Sequence, residues 1–184
     1  MKIVGFLLIV LAALAACSSS SDGSGTCTEV PVFNSSFANY HSWTSYSFDS
    51  PAIPDSPHTS GPRREYLSQK PPHGSTSFPV GTIIVKEIGE PPASQDSVFA
   101  MVKVGCDYNP GDSNDTGAPN WEWYELQVDA TNTASILWDG PAPPPGMTYS
   151  GFACNPCHAG AKANDYVQTP SSCTSDCPLQ LSTF

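Results

Sequence analysis

Residues 80–88 read VGTIIVKEI, a run rich in β-branched side chains and bounded by Pro79 and Gly89. Branched side chains suit a half-buried pleated surface better than a helix, so the run predicts a strand. In that strand Lys86 points with Ile84 and Ile88, away from Val85 and Glu87. Residues 97–105 (SVFAMVKVG) predict a second strand, with Val98, Ala100, Val102 and Val104 on one face and Phe99, Met101 and Lys103 on the other. Residues 120–129 (NWEWYELQVD) predict a third, and residues 134–138 a fourth. DYNPGDSNDTGAPN, between the second and third, is a loop by its turn residues.

Outside this block the texture changes. Residues 31–79 carry many Pro, Ser and His residues with no clear period, apart from a short helix expected near residues 33–40. GPAPPPGM at residues 140–147 is a stiff, extended connection. Residues 154–164 are expected to form one or two helical turns, and the tail to Phe184 a loop fastened by Cys173 and Cys177. With 19 Pro and only 13% charged residues, the body is expected to be rich in strands and ordered loops. The formal charge of −10 repels phosphate backbones and leaves no basic stripe, which argues against nucleic-acid binding.

The first seventeen residues, MKIVGFLLIVLAALAAC, are one Lys, an apolar run and small residues leading to Cys17. The run is shorter than the ~20 residues of a membrane span and reads as an export signal over residues 1–16. Leu14-Ala15-Ala16-Cys17 resembles the lipobox of bacterial lipoproteins, which implies lipidation of Cys17 and a membrane anchor. The alternative is an ordinary signal peptide whose cleavage leaves a free thiol. Residues 17–30 include SSSSDGSGT, a flexible tether, and residues 31–184 are the folded body. Ser18 resembles an outer-membrane address, so the expected location is the cell envelope, facing the periplasm or the cell surface.

An exported chain meets oxidising conditions, so its seven cysteines become informative. Cys154 and Cys157 stand two residues apart with His158 directly after them, in CNPCH. Cys173 and Cys177 follow in near-agreement with a four-Cys zinc pattern, but with three intervening residues in the second pair instead of two. A thioredoxin-like dithiol needs a strand and helix around the motif, where a proline-rich stretch stands instead. Covalent haem c accounts for more. Two thiols at this spacing add to the two vinyl groups of a porphyrin, and the following His lies beneath the iron as its axial ligand. Cys154 and Cys157 are then the attachment residues and His158 the ligand. Cys27, Cys106, Cys173 and Cys177 remain as disulfide candidates, with three connectivities open.

VGTIIVKE (residues 80–87) and FACNPCHAGAKANDYVQT (residues 152–169) together resemble the cytochrome P-460 family, which includes the cytochromes c′-beta. The likeness rests on a GT-x-x-VKE strand and on C-x-x-C-H followed by Asp165-Tyr166-Val167; it is weaker over residues 99–103 and 121–124 and poor before Arg63. The resemblance implies a mainly β (α+β) domain: an antiparallel sheet with a few short helices and Pro-rich loops, one helix carrying the haem motif, assembled as a homodimer. It further implies a five-coordinate haem with an open distal face. In the cytochromes P-460 the Lys matching Lys86 is bonded to the haem edge and hydroxylamine is oxidised; in the c′-beta branch the cross-link is missing and nitric oxide is bound. Without the resemblance, Lys86 reads as a solvated strand residue.

Two function classes follow, oxidation of hydroxylamine or a related small nitrogen species with transfer of electrons to a redox partner protein, or non-catalytic binding of nitric oxide or electron transfer. A third is a haem-free lipoprotein held by disulfides. Glu65, Glu87 and Glu90 are available by type as proton acceptors. His41, His58, His73, Met101 and Met147 are candidates for a sixth ligand, each also readable as an ordinary surface or core residue. Arg63 and Arg64 suit pairing with haem propionates, or an exposed ion pair. Asp107, Asp112 and Asp115 lack the spacing of a calcium loop and read as a solvated turn.

Overall fold

The computed structural model describes residues 27–50, 61–89, 98–110, 117–146, 154–169 and 177–184. Cys17, His58, Glu90, Asp112, Asp115, Met147 and Cys173 lie outside the described residues, as does the export signal. Six strands make one sheet: β1 (Thr44–Ser50), β2 (Gly61–Leu67), β3 (Ile83–Ile88), β4 (Val98–Lys103), β5 (Trp121–Val128) and β6 (Ala134–Gly140). Each pairs antiparallel with the next, so spatial order equals chain order and loops suffice as connections. One α-helix, α1 (Cys154–Ala159), and short 3-10 turns at Asn34–Phe37, Tyr40–Ser42, Lys162–Asn164 and Leu181–Thr183 complete the mainly-β architecture.

Strands β3 to β6 stand where side-chain type and alternation predict them. β1 and β2 lie in the stretch with no evident period, for two different reasons. β1 is an edge strand whose buried signal is thin: Tyr46 and Phe48 are half-buried, while Ser45, Ser47 and Asp49 stay exposed on the other face. A polar edge of this kind also discourages pairing with a foreign strand. β2 reads GPRREYL and looks like solvated chain, yet Arg63, Glu65, Tyr66 and Leu67 are all buried. Its Glu65 is balanced by Lys86 of the neighbouring strand, which no local pattern reveals.

Both faces of the sheet are covered. On one, Tyr66, Val85, Val98, Ala100, Val102, Tyr124 and Leu126 pack beneath Phe37 and Tyr40 of the N-terminal 3-10 turns. On the other, Leu67, Ile84, Met101, Trp121, Trp123 and Trp138 pack beneath Phe78 and the C-terminal residues Tyr166, Val167, Leu179 and Leu181. Two covered faces explain why β4 is apolar almost throughout, where a sheet with one wet face would alternate.

A disulfide joins Cys27 to Cys106, and the Val30 amide donates to the Val104 carbonyl (2.9 Å), so the N-terminal segment is tied to the chain just beyond β4. Cys177 is also disulfide-bonded, whereas Cys154 and Cys157 are free thiols.

Candidate functional site

Register decides what meets on the C-terminally covered face. Glu65 of β2 faces Lys86 of β3, Lys86 faces Phe99 of β4, and Phe99 faces Glu125 of β5. One step along, Leu67, Ile84, Met101 and Trp123 form the neighbouring row. Glu65, Lys86 and Phe99 of the first row and Ile84, Met101 and Trp123 of the second floor a small cavity of about 50 Å³, partly open to solvent, whose roof is His158, Val167, Gln168 and Leu179. The wall is apolar except for a few converging polar groups, the composition of a ligand site.

α1 carries the whole Cys-x-x-Cys-His motif in little more than one turn, and its His158 is buried at 9% exposure. After the 3-10 turn Lys162–Asn164, Asp165 and Tyr166 both adopt left-handed backbone (φ 53° and 66°). That reversal brings the Tyr166 carbonyl to 2.7 Å from His158 Nδ1. A carbonyl only accepts, so Nδ1 carries the proton and Nε2 keeps its lone pair. The reversal is itself anchored. Asp165 Oδ2 accepts from the Lys103 ammonium and from the Phe78 amide (2.7 Å), and the Asp165 carbonyl accepts from Trp121 Nε1 (2.8 Å). Gln168 Nε2 donates to the Cys157 carbonyl (2.7 Å), which ties the helix to the same segment.

Burial, and secondarily the charge on Lys86, hold His158 down at about 4, against the smaller opposing effect of the Tyr166 hydrogen bond. The imidazole is therefore neutral at pH 7, the form that ligates a metal. Burial pushes the Cys154 thiol up to about 12, the reverse of what a reactive dithiol needs.

Lys86 Nζ lies 3.2 Å from Glu65 Oε1 inside the cavity wall. Glu65 is only 2% exposed, and its Oε2 has no hydrogen-bond partner among the described residues. Leaving a buried carboxylate oxygen unbonded is costly unless something else occupies the space before it. Arg63, two residues back on the same face of β2, is buried as well; burial lowers its guanidinium and the Glu65 charge opposes that.

No family model, characterised protein or solved structure matches this chain.

The residues singled out in the sequence are sorted by the fold. Cys154, Cys157 and His158 share α1, and His158 shares the cavity with Lys86, Glu65 and Met101. Arg63 is on the cavity side, whereas Arg64 faces away, its Nε donating to Ser47 Oγ (3.3 Å). Glu87 also faces away and accepts from Tyr40 (2.6 Å) and Tyr66 (3.0 Å) while bonded to His41 Nε2 (2.7 Å). His73 Nδ1 is 2.7 Å from the Phe184 carbonyl, and Asp107 is exposed in a turn. The contacts that Trp123, Gln168 and the Tyr166 carbonyl make around α1 escaped sequence reading. The register of β5 against β4 could have flagged Trp123; a backbone carbonyl gives no residue-type signal at all.

The donor set suits haem c. One helical turn offers two free thiols and, after them, an imidazole whose Nε2 has no hydrogen-bond partner among the described residues, beside an apolar cavity. The four-Cys zinc arrangement does not suit, since Cys177 is committed to a disulfide.

Proposed function

We propose that this chain is an exported, lipid-anchored c-type haem protein of the cytochrome P-460 type that oxidises hydroxylamine or a related small nitrogen species and passes the electrons to a redox partner. The observation that carries the reading is the meeting of Lys86 and Glu65 with His158 around one cavity, although these residues lie far apart in the chain.

Haem bound through Cys154 and Cys157 supplies a redox-active iron with a coordination position for a small ligand. The residues of the chain do the rest. Tyr166 holds His158 in the tautomer whose Nε2 is free to ligate. Ile84, Phe99, Met101 and Leu179 give the cavity an apolar wall. Glu65 Oε2 accepts protons from a bound N–H or O–H donor as it loses electrons, and Lys86 stabilises the carboxylate until then. By the family resemblance, Lys86 would also be the residue to form a bond to the haem edge.

Met101 favours a second reading, because its buried thioether lines the same cavity and suits a sixth ligand of an electron carrier or nitric oxide binder. The haem-free reading is the weaker one: Cys154 and Cys157 are free thiols, not a disulfide.

The test is the alkaline pyridine spectrum of the full chain produced in a host that matures c-type cytochromes. A c-type band that disappears in Cys154→Ser/Cys157→Ser supports the proposal. A ferrous Soret band displaced far to the red, and restored in Lys86→Ala, adds the cross-link and hydroxylamine oxidation. An ordinary Soret band moves the assignment to the second reading, and absence of haem overturns both.

A further inference from the structure

Asn155 sits inside the motif at a position where attachment chemistry asks for no particular residue. It is nevertheless held by three hydrogen bonds. Asn109 Nδ2 donates to Asn155 Oδ1 (2.8 Å) and Asn155 Nδ2 donates back to Asn109 Oδ1 (2.6 Å), a reciprocal amide pair between α1 and the turn after β4. Asn109 Nδ2 also donates to the Trp121 carbonyl (3.1 Å), so the pair is fastened to β5. Asn109 has φ +56°, a left-handed conformation that Asn adopts more readily than most residues, and the Cys27–Cys106 disulfide pins the same turn three residues earlier.

The pair reaches His158 through one side chain. Trp123 Nε1 donates to Asn155 Oδ1 (2.7 Å), and the Trp123 ring lies against the His158 ring with centroids 4.4 Å apart at 47°. Trp123 is 5% exposed and cannot swing without breaking that hydrogen bond. An imidazole bonded at Nδ1 and blocked on one face by a fixed indole has one orientation available. We infer that Asn109 and Asn155 are positioning residues that set the ring plane of His158 through Trp123. The turn after β4 thereby controls the direction in which Nε2 points into the cavity. This rests on reading His158 as the axial ligand.

Asn109→Ala tests it best, because the attachment apparatus meets an unaltered motif. Haem content of the wild type comes first, by alkaline pyridine spectrum; its absence refutes the haem reading and leaves the clamp to be judged on the haem-free full chain. There, hydrogen exchange of the Trp123 indole N–H is followed by NMR. Asn109→Ala and Asn155→Ala should speed exchange by roughly 5- to 10-fold, the loss of about one net hydrogen bond. Asn155→Asp, which keeps the acceptor for Trp123, should stay close to wild type. In the haem-loaded protein, Asn109→Ala should retain covalent haem yet shift the iron–histidine stretch of the ferrous form. Wild-type exchange together with a wild-type stretch in Asn109→Ala overturns the inference, as does equal behaviour of Asn155→Ala and Asn155→Asp.

Discussion

The carbonyl of Tyr166 accepts a hydrogen bond from Nδ1 of His158 at 2.7 Å, across a backbone reversal in which Asp165 and Tyr166 are both left-handed. That bond fixes the tautomer of the only His in the cavity among the described residues, and Asp165, held by β4, makes the reversal possible.

Asp165→Asn should therefore be felt at His158. It strands the Lys103 ammonium, whose side chain is 7% exposed, without its carboxylate. Breaking a buried pair from one side costs about 3–5 kcal/mol, and the partial exposure of both groups here argues for the low end. Urea unfolding should show a midpoint loss of this size, whereas Lys162→Ala, an exposed residue of the neighbouring 3-10 turn outside this pair, should shift the midpoint far less.

Protonation of His158 predicts a pH dependence. Its folded pKa of about 4 lies below the ordinary 6.5, so between those values the unfolded chain binds the extra proton. The stabilising contribution is complete above pH ~6.5 and is lost as pH falls through ~4, with a size on the order of 3 kcal/mol. Denaturation of the haem-free chain at a series of pH values should show this slope, and His158→Gln should flatten it.

Glu65→Gln removes the proton acceptor while keeping the shape of the side chain. Hydroxylamine turnover should fall by about 10²-fold or more at unchanged haem content, the usual share of a positioned base. An unchanged kcat would remove Glu65 from the chemistry. Glu87→Gln, on the opposite face with Tyr40 and Tyr66, should leave turnover intact.

Cys27→Ser/Cys106→Ser opens a loop closed across a sequence separation of 79. Chain-entropy reasoning puts the loss at about 4–5 kcal/mol, and measured losses for native disulfides span about 2–5. Thermal unfolding under non-reducing conditions measures it; if the Asn109 turn loosens too, Trp123 indole exchange should rise in the same variant.

Four strands, the split of β4 into two faces, the short helix at the CNPCH motif and the identity of its donor atoms are all local matters of side-chain type and spacing, and they were legible in the sequence. Alternation alone assigned Lys86 to the face of Ile84. What lies opposite Lys86 was not legible, because pairing register is set by contacts between distant segments. GPRREYL looks like solvated chain until β3 brings Lys86 beside Glu65, and only then does its charge become buried and balanced. By the same alternation Glu65 enters the cavity while Glu87, of identical chemistry, goes to the tyrosines on the far side. The carbonyl of Tyr166 and the indole of Trp123 reach His158 only after two layers have closed over the sheet. Residue type could name the donors; tertiary packing alone decided which of them meet.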